Sequence, residues 1–264
     1  TRGARDSRAE RVTTRVTDPR NLSWVMPAEG GEPLSRRPAW PDVVVLAGGD
    51  PLPASLLADV AEAIDHASLT VAADAGLHHA HRADREVDVL IGDLDSVDPE
   101  ALEQARRAGT DVRSYPVDKD ATDLALALDL VLERTAGAGA GTSSGAERPD
   151  VLVIGGHGGR TDHLVANLLL LAAERHAPLR IHAWWGADML HIVRDSVRLT
   201  GAVGSNVSLL ALHGAAEGVR TTGLRFPLDD AVLAAGSSLG LSNRMSAPDA
   251  TVAVRSGVLA VLQS

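Results

Sequence analysis

DVLVIGGHGGRTDHLVANLLLLAAERH, residues 150–176, places a strand, a glycine turn and a helix in immediate succession. Val151–Ile154 is a short unbroken apolar run, the pattern of a strand covered on both faces. Glycines follow at 155, 156, 158 and 159, and an apolar segment over roughly 162–176 is long enough for a helix. The same order recurs upstream. Val43–Ala47, Thr70–Ala73, Val87–Ile91 and Asp111–Tyr115 each precede a turn signal and then a helix-like segment, over roughly 52–66, 76–83, 99–108 and 121–134. A sixth run, Leu179–Trp184, closes the series. Strands alternating with helices predict an α/β fold with a doubly wound parallel sheet over 41–185.

Beyond Trp185 the texture changes to short β-like pieces such as HIVRDSVRLT and NVSLLALH, separated by Gly, Asn, Asp and Pro, with no amphipathic helix of useful length. Residues 186–264 therefore predict a small all-β sandwich or barrel domain. Residues 1–40 hold eight Arg against five acids and show no apolar periodicity, which predicts a flexible extension. AGAGAGTSSGAERP, residues 136–149, predicts a surface insertion.

Composition removes several classes of function. The chain has no cysteine, so disulfides, thiolate metal sites and cysteine nucleophiles are excluded. A net charge of −10 argues against binding nucleic acid over a broad surface, and six aromatic rings are too few for a base-stacking platform. The longest apolar run, Leu164–Ala173, is interrupted by Asn167 and is too short to span a bilayer. With an Arg-rich start and no secretory signal, a soluble cytoplasmic protein is expected. Of 25 basic residues 24 are Arg, and the single lysine is Lys119.

Three polar clusters fall just past the C-terminal ends of expected strands, the edge where open parallel sheets bind ligands. Gly92-Asp93-Leu94-Asp95-Ser96 offers two carboxylates that point the same way in an extended chain, a hard-cation pair for Mg²⁺ or an Asp-rich turn capping the next helix. Asp118-Lys119-Asp120-Ala121-Thr122-Asp123 leads into LALALDLVL. Asp120 or Thr122 can cap that helix, and the lone lysine among acids suits a metal–polyphosphate site. Gly155–His163 combines glycines that let backbone N–H groups approach an anion with Arg160 and a helix N-terminus; a tight turn capped by Thr161 is the plainer account. Gly48-Gly49-Asp50 suits a turn at least as well as a nucleotide contact. His78, His79 and His81 are expected on a solvated helix surface, and Trp184 and Trp185 at the domain junction. Clustered acids predict that Asp93→Asn or Asp95→Asn lowers turnover and leaves the melting temperature unchanged or higher.

GDLDS (92–96), KDATD (119–123) and GGRTDH (158–163), in that order, resemble the thiamine pyrophosphokinase family, and GLRFPLDDAVLAAGSSLGLSN (223–243) looks like its late signature. The resemblance covers roughly residues 43–264 and implies a two-domain homodimeric enzyme that moves the β,γ-pyrophosphoryl group of ATP to the hydroxyl of thiamine, leaving AMP. It implies that Asp93, Asp95, Asp120 and Asp123 surround Mg²⁺–ATP as metal-binding and catalytic residues. Lys119, Thr122, Gly158, Gly159, Arg160, Asp162 and His163 would hold the nucleotide, with Asp74 of ADAG nearby. Ser242 and Asn243 would lie at the thiamine end. ADAG in place of a double glycine, and Phe226 where Tyr or Trp is usual, depart from the family pattern. Two other readings share the clusters: a pyrophosphokinase for another primary alcohol such as a hydroxymethylpterin, and a non-catalytic nucleotide-binding regulator.

Overall fold

The computed structural model describes residues 23–25, 40–138 and 148–264, so most of the 1–40 segment and most of the 136–149 insertion lie outside the described residues. After β1 (Ser23–Val25), the six apolar runs become β2 (Val43–Ala47), β3 (Leu69–Ala73), β4 (Val89–Gly92), β5 (Asp111–Ser114), β6 (Asp150–Ile154) and β7 (Arg180–Trp185). β2 to β7 lie parallel in the order β7-β6-β2-β3-β4-β5. The connecting helices are α1 (Leu57–His66), α2 (Leu77–Arg82), α3 (Pro99–Ala108), α4 (Asp123–Ala138) and α5 (Thr161–Leu171). α3 shows why the chain turns helical there: the Asp98 carboxylate accepts the Glu100 and Ala101 amides, Pro99 opens the first turn, and Gly109 at φ 95° ends the helix. α5 stops short of the expected residue 176, because the His176 ring donates to the Leu170 carbonyl at 2.8 Å and residues 174–176 tighten into a 3-10 turn.

All five residues of β2 are buried, and their period of two splits them between two cores. Val43 and Val45 pack with Leu128 and Val131 of α4, whereas Val44 and Leu46 pack with Val60 of α1 and Ala101 of α3. Helices therefore cover both faces of the parallel strands. β2 is flanked by β3 on one side and by β6 on the other, and the connections leave it in opposite directions. A crevice opens where they part, at the C-terminal ends of β2 and β6.

From β8 (Asp188–Val193) onward the chain is antiparallel: β9 (Ser196–Thr200), β10 (Asn206–Thr222), β11 (Ala231–Leu233), β12 (Asn243–Arg244), β13 (Asp249–Ala253) and β14 (Ser256–Gln263). β8 pairs with β7, so the parallel sheet continues without a break into this all-β region. The 17-residue β10 serves two layers, pairing with β14 over Val207–Leu212 and with β13 over Arg220–Thr222. It bends at His213 and Gly214, where φ is 57° and 147°. Leu199, Val219, Val252, Leu259 and Val261 fill the space between the layers. β1 adds to β9 in parallel. No described helix is long and apolar enough to cross a membrane.

Where β7 meets β8, His182 and His191 share a buried Nδ1···Nδ1 hydrogen bond of 2.7 Å. Burial, reinforced at His182 by the neighbouring imidazole, pushes both below the ordinary 6.5. The unfolded chain binds these protons first, so the neutral pair stabilises the fold above about pH 6.5, and that stability is lost as pH falls. Urea unfolding from pH 8 to pH 5 is expected to show a loss approaching ~1.4 kcal/mol per pH unit for each imidazole. His191→Phe should flatten that slope, and an unchanged slope would contradict the assignment.

Candidate active site

The crevice is built from loops that follow five neighbouring strands, β6, β2, β3, β4 and β5. After β2 and β6 the two glycine-rich loops lock together: the Gly156 amide donates to the Gly48 carbonyl at 2.7 Å, and the Asp50 amide donates to the His157 carbonyl at 2.9 Å. This contact needs glycine on both sides. A Cβ at Gly49 would stand 2.3 Å from the His157 carbonyl oxygen, and one at Gly158, where φ is 75°, would stand 2.1 Å from the Asp50 carboxyl. Above them lies an open cleft of about 590 Å³, walled by the glycine loops, Arg160 and His163 at one side and by Asp74, Asp93 and Asp123 at the other.

Asp74 follows β3, Asp93 follows β4 and Asp123 opens α4, and the fold brings one carboxylate oxygen of each within 4.8 Å of the others. Asp74 sits in the left-handed region at φ 47°, a conformation Asp tolerates better than most side chains. Burial raises its carboxyl above the usual range; the Ala75 amide and the Ser96 hydroxyl pull it back, and the Asp123 and Asp93 charges push it up further. One buried oxygen of Asp74 accepts no hydrogen bond. Three carboxylates, one of them with an unsatisfied buried oxygen and with no imidazole in the group, fit a hard divalent cation such as Mg²⁺.

Lys119 reaches this group from the loop before α4. Its Nζ lies 2.8 Å from Asp93 Oδ2 and 2.9 Å from Asp123 Oδ1, with 12% of the side chain exposed. The hydrogen bond from Lys119 holds the Asp93 carboxyl below its usual range. Burial works against the ammonium, but Asp93 and Asp123 outweigh it and raise Lys119. Thr122 is the N-cap of α4, its Oγ1 accepting the Ala125 amide at 3.2 Å, which leaves Asp123 in the first turn facing the cleft.

The other expected site residues distribute unevenly. Asp95 lines the cleft but stands outside the three-carboxylate group. Leu94 takes φ 65°, so the chain turns instead of running extended, and Asp93 Oδ1 accepts the Asp95 amide at 3.3 Å. Asp93 and Asp95 both line the cleft, but they reach it from a turn and not from an extended stretch. Asp120 is exposed and lies outside the cleft lining. Gly158, Gly159, Arg160 and His163 line it. Arg160 occupies the N-cap of α5 with no side-chain cap bond, so Thr161 does not cap that helix. Arg160 pairs with Asp162 at 2.6 Å and draws the Asp162 carboxyl down to about 2.

Ser242 and Asn243 lie in the all-β region, away from the cleft of the same chain. Asn243 is a buried clamp: its Nδ2 donates to the Phe226 carbonyl at 2.7 Å and its Oδ1 accepts the Phe226 amide at 3.0 Å. Phe226 is thereby held outward, 60% exposed. Sequence reasoning missed two features. It put Asp74 beside the nucleotide and not in the cation group, although the position just past a strand carried the signal. It also put His79 on a solvated surface. His78 and His81 are exposed as expected, but His79 is 5% exposed beneath the glycine loops, and nothing in the HHAH run separates one histidine from the next.

Comparison with known proteins gives one answer. A family model described as thiamin pyrophosphokinase, catalytic domain, matches residues 60–183, and one described as thiamin pyrophosphokinase, vitamin B1 binding domain, matches residues 191–259. Thiamine pyrophosphokinase of Bacillus subtilis (strain 168) is 25% identical over 229 residues, covering 83% of this chain and 97% of that protein. Thiamine pyrophosphokinase 1 of Oryza sativa subsp. japonica is 26% identical over 161 residues, 59% of this chain and 58% of the relative. The crystal structure of the Bacillus subtilis thiamine pyrophosphokinase superposes with a TM-score of 0.68 at 23% identity, covering 84% of this chain and 98% of that one.

Proposed function

Since this chain belongs to the thiamin pyrophosphokinase family, we infer that it transfers the pyrophosphoryl group of ATP to the hydroxyl of thiamine, giving thiamine diphosphate and AMP. The observation that carries the reading within the site is the convergence of Asp74, Asp93 and Asp123 with Lys119 opposite a doubled glycine loop. That pairing of acids with an ammonium and with backbone donors matches a metal–polyphosphate substrate. Residues 41–185 then form the doubly wound nucleotide-binding unit and residues 186–264 the acceptor unit.

Transfer at a phosphorus demands positioning and charge stabilisation, with little covalent work from the protein. Asp74, Asp93 and Asp123 would hold Mg²⁺, which neutralises charge on the phosphate oxygens when bound. The Gly158–Gly159 backbone and the exposed guanidinium of Arg160 face the polyphosphate side of the cleft. Lys119 places its ammonium against the same oxygens that Asp93 and Asp123 address. Asp95 lines the cleft apart from that group, its Oδ1 accepting the Ser96 hydroxyl at 2.9 Å, and would be the carboxylate to take the acceptor's proton.

A second copy completes the acceptor end. α5 (TDHLVANLLLL) is apolar over most of its circumference from Leu164 onward, yet Leu171 is its one buried residue, with Val165 51% and Leu169 42% exposed. A helix of that composition is normally covered. Phe226, Leu239 and Leu241 are exposed on the segment that carries Ser242 and Asn243, and in a homodimer these would meet a neighbouring cleft. Leu169→Glu is expected to convert a dimer to a monomer in light scattering, with Mg²⁺–ATP binding retained and turnover lost. A wild-type monomer with full turnover would contradict this.

The reading is tested by AMP release from Mg²⁺–ATP with thiamine or with a hydroxymethylpterin as acceptor. Thiamine-dependent AMP supports it; AMP release driven by the pterin alone, or nucleotide binding without any turnover, would favour the alternatives.

A further inference from the structure

His79 is the buried titratable group nearest the glycine loops that the mechanism above does not use. It lies on α2, between exposed His78 and exposed His81, and is itself 5% exposed. Its ring donates a hydrogen bond to the backbone carbonyl of Ala47, the last residue of β2. Its Nε2 also lies 2.8 Å from the point where a Cβ of Gly155 would stand, and the Ala47 carbonyl oxygen lies 2.2 Å from that same point. One imidazole thus sits against the root of both loops, at the place where the sheet order reverses. Two features suit it to a fixed neutral donor. Burial carries its pKa down to about 4, with the Arg82, His157 and His78 charges adding to the effect. Gly155 takes φ 87° and has no side chain to compete for the space.

We propose that His79 is a positioning residue for nucleotide binding: it pins the end of β2 against Gly155 and thereby sets the height at which the Gly158–Gly159 backbone meets the polyphosphate. This rests on the pyrophosphokinase reading for what the loop binds, but not for how the loop is held. The loop amides act on the ligand only while the Gly156–Gly48 and Asp50–His157 backbone bonds stay in register. Losing the donor beneath Ala47 frees that register, and a displacement on the order of 1 Å at a positioned group can cost as much as ~100-fold.

The test compares His79→Leu, which removes the donor, with His79→Gln, whose amide N–H reaches about as far as Nε2. Leu77→Ala, on the same helix and 1% exposed, controls for lost packing. Hydrogen exchange of the ligand-free proteins is read over peptides covering 155–159, and binding of Mg²⁺ with α,β-methylene-ATP is read by calorimetry. His79→Leu is expected to speed exchange in the loop by about tenfold and to weaken nucleotide binding by about tenfold or more. His79→Gln should recover both to near wild type, and Leu77→Ala should lower the melting temperature while leaving both unchanged. Unchanged exchange in His79→Leu, or equal effects from Leu77→Ala, would overturn the proposal. If wild type fails to bind the nucleotide, the pyrophosphokinase reading falls, and the exchange data still decide whether His79 holds the loop.

Discussion

Asp74→Asn is expected to lower turnover by about 100-fold or more while raising the melting temperature of the metal-free protein. The first effect follows from removing one of three anionic oxygens that converge on the cation position, a loss comparable to deleting a transition-state electrostatic contact. The second follows from what the same carboxylate costs the fold. Burial and the charges of Asp123 and Asp93 raise the Asp74 carboxyl, so its ionised form is disfavoured in the native state. For an acid with a raised native value, the favourable contribution exists at low pH and is lost as pH rises through that value, so at pH 7 ionised Asp74 destabilises. Asn is nearly the same size, keeps the left-handed backbone within reach and carries no charge. Like charges at ~4 Å cost about 1 kcal/mol or more, which corresponds to about 2–4 °C for a chain of this size. Calorimetric melting in EDTA beside steady-state turnover in Mg²⁺ checks both signs, and a lowered melting temperature would make Asp74 a structural residue.

Lys119→Met is expected to lower turnover by a similar factor, but with the opposite effect on stability. The ammonium bridges Asp93 and Asp123 at 2.8 and 2.9 Å, and its removal leaves two partly buried carboxylates facing each other and Asp74. Stranding buried polar groups in this way costs ~1–3 kcal/mol. Asp93→Asn shares the penalty, because its carboxylate is held ionised by Lys119. The sequence expectation that Asp93→Asn leaves the melting temperature unchanged or higher therefore passes to Asp74→Asn. The double variant Lys119→Met/Asp93→Asn should lose less stability than the two single changes added together. Additive losses would show that the two residues do not interact. Lys119→Arg is not expected to restore turnover, since a planar fork does not replace a compact ammonium between two oxygens.

Most of the parallel strands were legible because they are short, apolar and followed by a turn residue; β2, β3, β5, β6 and β7 begin within a residue of their expected positions, although β5 (DVRS) is a polar, partly exposed edge strand. The all-β character past Trp185 was legible in the same way. The double duty of β10 was not, because a strand that bends between layers is written as one continuous run with an exposed His-Gly in its middle. Among the acids, the sequence identified the loops but not the grouping. Leu94 turns left-handed and Asp95 stays outside the cation group, and the fold, not the spacing, brings Asp74 across from β3. Spacing along a loop says which residues are near in the chain, whereas the cation group comes from three different loops. His79 was illegible for a related reason: burial on a six-residue helix depends on what packs over it, and here that is a glycine loop some eighty positions away.

The most direct test follows the fate of the terminal phosphates of ATP. With γ-³²P-labelled Mg²⁺–ATP and thiamine, the products separated by chromatography should be AMP and thiamine diphosphate, with the label on the terminal phosphate of the latter. Labelled thiamine monophosphate with ADP would mean that a single phosphoryl group moves, and would contradict pyrophosphoryl transfer at this site.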